Sequence, residues 1–237
     1  MKWALITGAS KRLGKQLALS LADLGWNIAI HYCSSESEAV DVVEKCINKG
    51  VKAKSIYGNF DTSKGIDEML NTYLKEVPST HLLINNVGNF LVKPVLETNL
   101  NEWHSLIQTN LNAPFHLIQK LQDSLVKNKG QIINIGVTGL SAVRPNHTAP
   151  AYYITKLALL GLTKSLAKEL APKNVRVNMV SPGVIDNAVD LDQVKDRLPM
   201  HRPCTTQEIA RVVQFLVDEA SDYITGQNIE VSGGFNL

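Results

Sequence analysis

Short apolar runs alternate with amphipathic stretches along the whole chain. Trp3-Ala4-Leu5-Ile6 reads as a first strand, and Leu13, Leu17, Leu21 and Leu24 then recur at helical spacing up to Gly25. Ile28 to Ile30 makes a second strand. Ser35-x-x-Glu38 has the form of a capping box, ahead of a stripe of Ala39, Val42, Val43, Cys46 and Ile47 that Gly50 ends. A third strand is expected over 51–57, then a helix carrying Ile66, Met69, Leu70, Tyr73 and Leu74, then a fourth strand over 82–84. Residues 99–126 read as one long helix bent by Pro114, Ile132 to Ile135 as a fifth strand, and 151–170 as a helix stopped by Pro172. A sixth strand over 175–180, a helix capped by Thr205-x-x-Glu208 and running to Val217, and a seventh strand over 228–231 complete the pattern.

Strands this short and apolar, each followed by an amphipathic helix, belong in a parallel sheet covered on both faces. The expected fold is α/β: a single-domain, doubly wound parallel sheet of about seven strands over residues 1–237, with a short substrate-covering segment at about 185–205. No linker, repeat or compositional break divides the chain. Ligands of such sheets bind at the carboxyl ends of the strands, where strand order reverses. A hydrophobic content of 44% suffices for the core, and a net charge of +2 implies neither nucleic acid nor an anionic membrane. No apolar run approaches the roughly 18 residues of a membrane span, and the chain opens directly on a strand, so a cytoplasmic protein is expected. Cys33, Cys46 and Cys204 are odd in number and form no Cys-x-x-Cys, which reads as free thiols. The six histidines show no metal-ligand spacing, so no metal is expected.

Two features carry chemistry. Thr7-Gly8-Ala9-Ser10-Lys11-Arg12-Leu13-Gly14 follows the first strand and enters a helix. Small residues there let the backbone approach a pyrophosphate, and the helix N-terminus offers free N–H groups and a positive dipole end. About 140 residues later, Tyr152 and Lys156 sit four apart in a helical segment, which places a phenol and an ammonium on one face. The cation favours phenolate over phenol and so draws the tyrosine pKa towards the range of an acid/base catalyst. A dinucleotide turn combined with such a pair points to a nicotinamide-dependent oxidoreductase.

On these residues the chain resembles the short-chain dehydrogenase/reductase family, whose sheet is of the Rossmann type. Gly8 and Gly14 match the first and third glycines of that family's Thr-Gly-x-x-x-Gly-x-Gly turn, with Arg12 in place of the second. The likeness continues through Asn85-Asn86-Val87-Gly88, Asn110, Tyr152/Lys156, Ser181-Pro182-Gly183, Ile224-Thr225-Gly226-Gln227 and Gly233-Gly234. The resemblance implies Tyr152 as proton donor to a carbonyl, Lys156 as binder of the nicotinamide ribose, and Asn110 as organiser of a proton-relay water. It also implies cofactor contacts from Gly8, Ser10, Lys11, Arg12 and Leu13, and from Asn59-Phe60, Asn86-Val87-Gly88 and Pro182-Gly183-Val184-Ile185. Strand 2 ends His31-Tyr32-Cys33-Ser34-Ser35, where cofactor contacts are expected from His31, Tyr32, Cys33 and Ser34; no carboxylate stands before Glu36, so a ribose 2′-phosphate is expected to meet no repulsion. Lys11, Arg12, His31 and Ser34 are the expected donors, and NADP(H) the expected cofactor.

The sequence departs from the family at the serine after strand 5. Alignment from the strand puts Val137 there, and counting back from Tyr152 reaches Gly139; Thr138, between them, is the expected substitute. Length and C-terminal motifs resemble 3-oxoacyl-carrier-protein reductases. The front of the chain, with Arg12 in the turn and His31-Tyr32, is similar to pteridine reductases, whose stacking aromatic would be Phe90. The expected substrate is an acyl thioester or small ketone, with a pterin, or a nucleotide-sensing role without turnover, as alternatives. Lys93, Arg144 and Arg202 are available as a basic rim for an acidic carrier protein. The resemblance further implies a homo-tetramer or homo-dimer built on the two long helices.

Overall fold

The structure, a computed structural model, describes residues 2–186 and 191–236. The substrate-covering segment expected at 185–205 is therefore described except for 187–190, among them Asp190, which lie outside the described residues. The elements are β1 (Trp3–Ile6), α1 (Arg12–Ala22), β2 (Asn27–Tyr32), α2 (Glu36–Asn48), β3 (Ala53–Tyr57), α3 (Ser63–Glu76), β4 (Leu82–Asn85), α4 (Leu100–Ile107), α5 (Ala113–Lys127), β5 (Gln131–Ile135), α6 (Pro150–Leu170), β6 (Arg176–Pro182), α7 (Leu191–Val194), α8 (Thr206–Val217) and β7 (Asn228–Val231). The seven strands form one sheet in the order β3-β2-β1-β4-β5-β6-β7, every neighbouring pair parallel. The order reverses between β1 and β4, and a crevice opens there at their carboxyl ends.

Alternation along each strand sends side chains to two cores. Ala4, Ile6, Ile28, Ile30, Ile84 and Ile133 pack under α1, α2 and α8, while Trp3, Leu5, Ala29, Leu83, Ile132 and Val177 pack under α3, α5 and the end of α6. Burial on both faces explains why the strands read as continuous apolar runs and not as alternating ones.

Two local expectations change. Ser35 is the N-cap of α2, but its side chain makes no capping bond; Glu38 turns instead to Lys11, at 2.7 Å. The expected helix over 99–126 is two helices joined by a π-helical turn at Gln108–Asn112, and Pro114 follows directly on that turn, in the first turn of α5. Asn99 and Glu102 close a reciprocal capping box at the start of α4, a partnership not foreseen, whereas the foreseen Thr205–Glu208 box at α8 is formed.

Candidate active site

The floor of the crevice is stitched between β1 and β4. Thr7 Oγ1 donates to Ile84 O and accepts the Asn86 and Val87 N–H groups at 2.9 and 3.0 Å, while Asn86 Nδ2 donates to Thr7 O and Gly8 O at 2.8 and 3.1 Å. A Cβ on Gly14 would lie 2.1 Å from the Gly8 carbonyl oxygen, and one on Gly8, at φ +62°, would lie 2.9 Å from Val87 Cγ2. Both positions need glycine, and the tight turn they close presents the N-terminus of α1 as a cradle suited to a phosphate. Arg12 holds the second glycine's place at φ +47°, a left-handed conformation that costs a non-glycine residue about 1 kcal/mol. Leu13 is buried in the core, so its side chain is not available to a ligand at this turn.

Beyond the turn a cleft of about 180 Å³ is lined by Gly8, Ser10, His31, Tyr32, Cys33, Ser34, Asn59, Phe60 and Val87, all of them expected cofactor contacts. His31 is expected as a donor to the phosphate, but its ring is committed elsewhere. Its ring is buried, stacked on Phe60 at 4.1 Å between centroids; Nδ1 accepts the Gly8 N–H at 3.1 Å and Nε2 donates to Gly58 O at 3.0 Å. Those partners require the neutral Nε2–H tautomer, and burial pushes the pKa down to about 4. The imidazole therefore clamps the phosphate turn to the end of β3 and carries no charge to a phosphate.

A pH effect follows. Since the folded pKa lies below the unfolded value of about 6.5, the unfolded chain takes up the proton first. Stability contributed by neutral His31 is complete above that value and is lost as pH falls towards about 4, on the order of 3 kcal/mol in all. Chemical denaturation between pH 7 and 4.5 is expected to show this loss in the wild type and a clearly smaller one in His31→Gln; equal slopes contradict the clamp.

On the other side of the crevice α6 brings the phenol and the ammonium together. Lys156 is fully buried, donates from Nζ to Ile135 O at 2.8 Å, and lies 5.7 Å from the centroid of the Tyr152 ring. Among the described residues no carboxylate pairs with it, and burial alone pulls its pKa down to about 8. A Cβ on Gly88 would stand 3.2 Å from this Nζ, so the glycine after Val87 is what lets β4's loop pass the cation. The π turn swings Asn110 inward. Its Oδ1 accepts the Asn89 N–H at 2.7 Å, and its Nδ2 donates to Asn89 O and to Thr155 Oγ1, both at 3.0 Å. Thr155 donates onward to Tyr152 O at 2.7 Å, so one bond network ties α4–α5, the β4 loop and α6. Phe90 meets the Tyr152 ring edge-to-face, with centroids 4.9 Å apart and planes at 89°.

Asn110, Tyr152, Lys156 and Phe90 are thus brought into one corner. Thr138 is not. Its hydroxyl has one proton, which lies between Glu230 Oε2 at 2.8 Å and Phe235 O at 3.0 Å, tying the loop after β5 to β7 and the C-terminal residues. Val137 packs against Leu140, Tyr153, Leu159 and Met179 and brings no donor. The loop is held further by Gly139 N–H to Glu230 and by the Tyr153 hydroxyl on Gly139 O and Ala142 O. Pro182 lies at the end of β6 with its carbonyl accepting the Thr138 N–H, and Ile185 bridges to Cys204. The basic rim is largely neutralised: Glu102 holds Lys93 and Glu208 holds Arg202, leaving Arg144 exposed. Asp61, Asn89 and Thr109 also line the cleft and were not expected there; Asp61 lies just past the end of β3, where the strand-end rule points.

A family model described as Enoyl-(Acyl carrier protein) reductase matches residues 8–236. The 3-oxoacyl-[acyl-carrier-protein] reductase of Staphylococcus epidermidis is 36% identical over 244 residues, covering 100% of this chain and 99% of that protein. Among solved structures, a blue fluorescent protein from a metagenomic library in complex with NADPH superimposes with a TM-score of 0.92 at 30% identity, covering 100% of this chain and 98% of that one. A short chain dehydrogenase from Burkholderia cenocepacia in complex with NADP gives a TM-score of 0.92 at 26% identity, with the same coverage.

Proposed function

The chain belongs to the short-chain dehydrogenase/reductase family of oxidoreductases, and on that premise we propose that it reduces the ketone of a 3-oxoacyl thioester, or a similar small ketone, with NADPH and with Tyr152 as proton donor. The observation that carries this reading is the buried Lys156 ammonium, which lies without a carboxylate among the described residues beside the Tyr152 ring. A lone buried cation is costly to the fold, and a fold that keeps one has a use for it. The glycine cradle, the helix N-terminus and the Lys156 ammonium fit the phosphates and the ribose of a dinucleotide.

A bound reduced nicotinamide would supply the hydride to the carbonyl carbon. The Tyr152 hydroxyl gives its proton to the carbonyl oxygen, and Lys156 favours the phenolate that remains. Asn110 holds the β4 loop to α6 and keeps Tyr152 on the crevice wall. With no hydroxyl at position 137, the developing alkoxide has one donor fewer than the family pattern supplies, worth about 3 kcal/mol. Phe90, against the Tyr152 ring, and the residues Val92, Val95 and Leu96 that follow it are exposed apolar side chains that suit an acyl chain. Phe90 also supports a second reading, a flat dihydropterin held against its ring. Exposed Leu100, Phe115 and Ile154 on α4, α5 and α6 support a homo-oligomer, dimer or tetramer, through those helices, and we place the protein in the cytoplasm.

Steady-state assays with NADPH and an acetoacetyl thioester, a small diketone and a dihydropterin test the proposal. The thioester is expected to give a kcat/KM at least tenfold above the pterin. The reverse order assigns the pterin, and NADPH binding without turnover of any of the three assigns a sensor.

A further inference from the structure

Two groups of ion pairs join α1 to α2. Lys15 reaches Asp41 at 2.9 Å, and Asp41 also takes Lys45 at 2.7 Å, while Lys11 reaches Glu38 at 2.7 Å. Their positions differ. Lys15 and Asp41 lie further along their helices, away from the cleft. Lys11 is the N-cap of α1, directly after Ser10, and Glu38 is in the first turn of α2, just after Ser35; both serines line the cleft. The Lys11–Glu38 pair therefore spans the cleft mouth, where the turn after β1 faces the turn after β2.

The use of Glu38 there is particular. Its sequence position suits a capping box with Ser35, yet the carboxylate leaves the helix end to meet Lys11 and the Ser37 hydroxyl, at 3.1 Å. The ammonium holds the Glu38 carboxyl below the usual carboxylate range. Glu36, the first residue of α2, accepts the Tyr32 hydroxyl at 3.3 Å. The mouth is thus not free of negative charge, as the sequence suggests, but carries two carboxylates, one of them neutralising the lysine nearest the turn.

We propose that Glu38 is a specificity-determining residue for the cofactor: a resident counter-ion that holds Lys11 until a ribose 2′-phosphate displaces it, and so limits how strongly NADP(H) is preferred over NAD(H). The proposal rests on the reading above that the cofactor is NADP(H). A dinucleotide without the 2′-phosphate leaves the pair closed and draws nothing from Lys11. One that carries it must break the pair and then sit beside the released carboxylate. Both costs fall when the carboxylate becomes an amide, and neither touches NAD(H).

Equilibrium binding of NADP+ and NAD+ to the full chain, wild type and Glu38→Gln, tests this. Glu38→Gln is expected to tighten NADP+ about fivefold at low salt, with less gain at high salt, and to leave NAD+ within about twofold. A pair that only stitches the helices would lower the thermal midpoint on substitution and leave the ratio of the two affinities unmoved. A wild type that prefers NADP+ together with an unchanged ratio in Glu38→Gln overturns the proposal alone. A wild type that binds NAD+ as tightly as NADP+ overturns the cofactor reading, and the proposal with it.

Discussion

Tyr152→Phe is expected to lower kcat for ketone reduction by about a thousandfold while leaving NADPH affinity and thermal stability within error of wild type. The phenyl ring keeps the edge-to-face contact with Phe90 and the place beside the Lys156 ammonium, so the corner keeps its shape. Only the hydroxyl goes, and with it the proton that the carbonyl oxygen takes. Because no hydroxyl stands at Val137 and the Thr138 hydroxyl is committed to Glu230 and Phe235, this corner has less to fall back on than the family pattern provides. Single-turnover rates with preloaded NADPH check the chemical step apart from binding. A loss of less than tenfold would remove Tyr152 from proton delivery.

Lys156→Met is expected to move activity and stability in opposite directions. The ammonium is buried without a carboxylate among the described residues, and burial holds its pKa at about 8, below the unfolded value near 10.5. The sign is that of a base depressed by folding: the cost of the buried charge is present in full below about pH 8 and disappears as pH rises through the unfolded value. A methionine of similar length removes the charge and leaves the Ile135 carbonyl without this donor. The net gain for the free protein at pH 7 is roughly 2 kcal/mol, a rise of several degrees in Tm. Turnover should fall at least a hundredfold, because both the electrostatic support of the phenolate and the ribose contact are gone. Calorimetry beside an activity assay checks both; a variant that is less stable than wild type at pH 7 would show that the ammonium is satisfied in the fold by more than its bond to Ile135.

Much of this site could be read from spacing. Tyr152 and Lys156 share a face because α6 is a long regular helix, and Gly14 is required by its approach to Gly8 within one strand–turn–helix unit, whereas Gly8 also meets Val87 of the distant β4 loop. Phe90 is singled out by the resemblance to pteridine reductases, and its ring meets that of Tyr152. What escaped depends on partners distant in sequence. Thr138 is turned away by Glu230 and Phe235, more than ninety positions later. His31 reads as a donor at the end of strand 2 until Gly58 and Phe60, just past β3, close on its ring, and a neutral ring is then the only form that satisfies Gly8. The same Ser/Thr-x-x-Glu pattern is a capping box at Thr205 but not at Ser35, because Lys11 reaches Glu38 first. The π turn that aims Asn110 inward has no compositional mark of its own; proline, the visible helix breaker, lies just after it.

The central claim is that a hydride enters the carbonyl carbon in this crevice as the Tyr152 proton reaches the oxygen. Incubation of the protein with NADPH deuterated at both positions of nicotinamide C4 and an acetoacetyl thioester, followed by mass spectrometry of the product, tests it most directly. The prediction is a 3-hydroxyacyl thioester carrying one deuterium on C3, formed by the wild type and nearly absent with Tyr152→Phe. Product lacking the label, or labelled product formed equally by the variant, would contradict it.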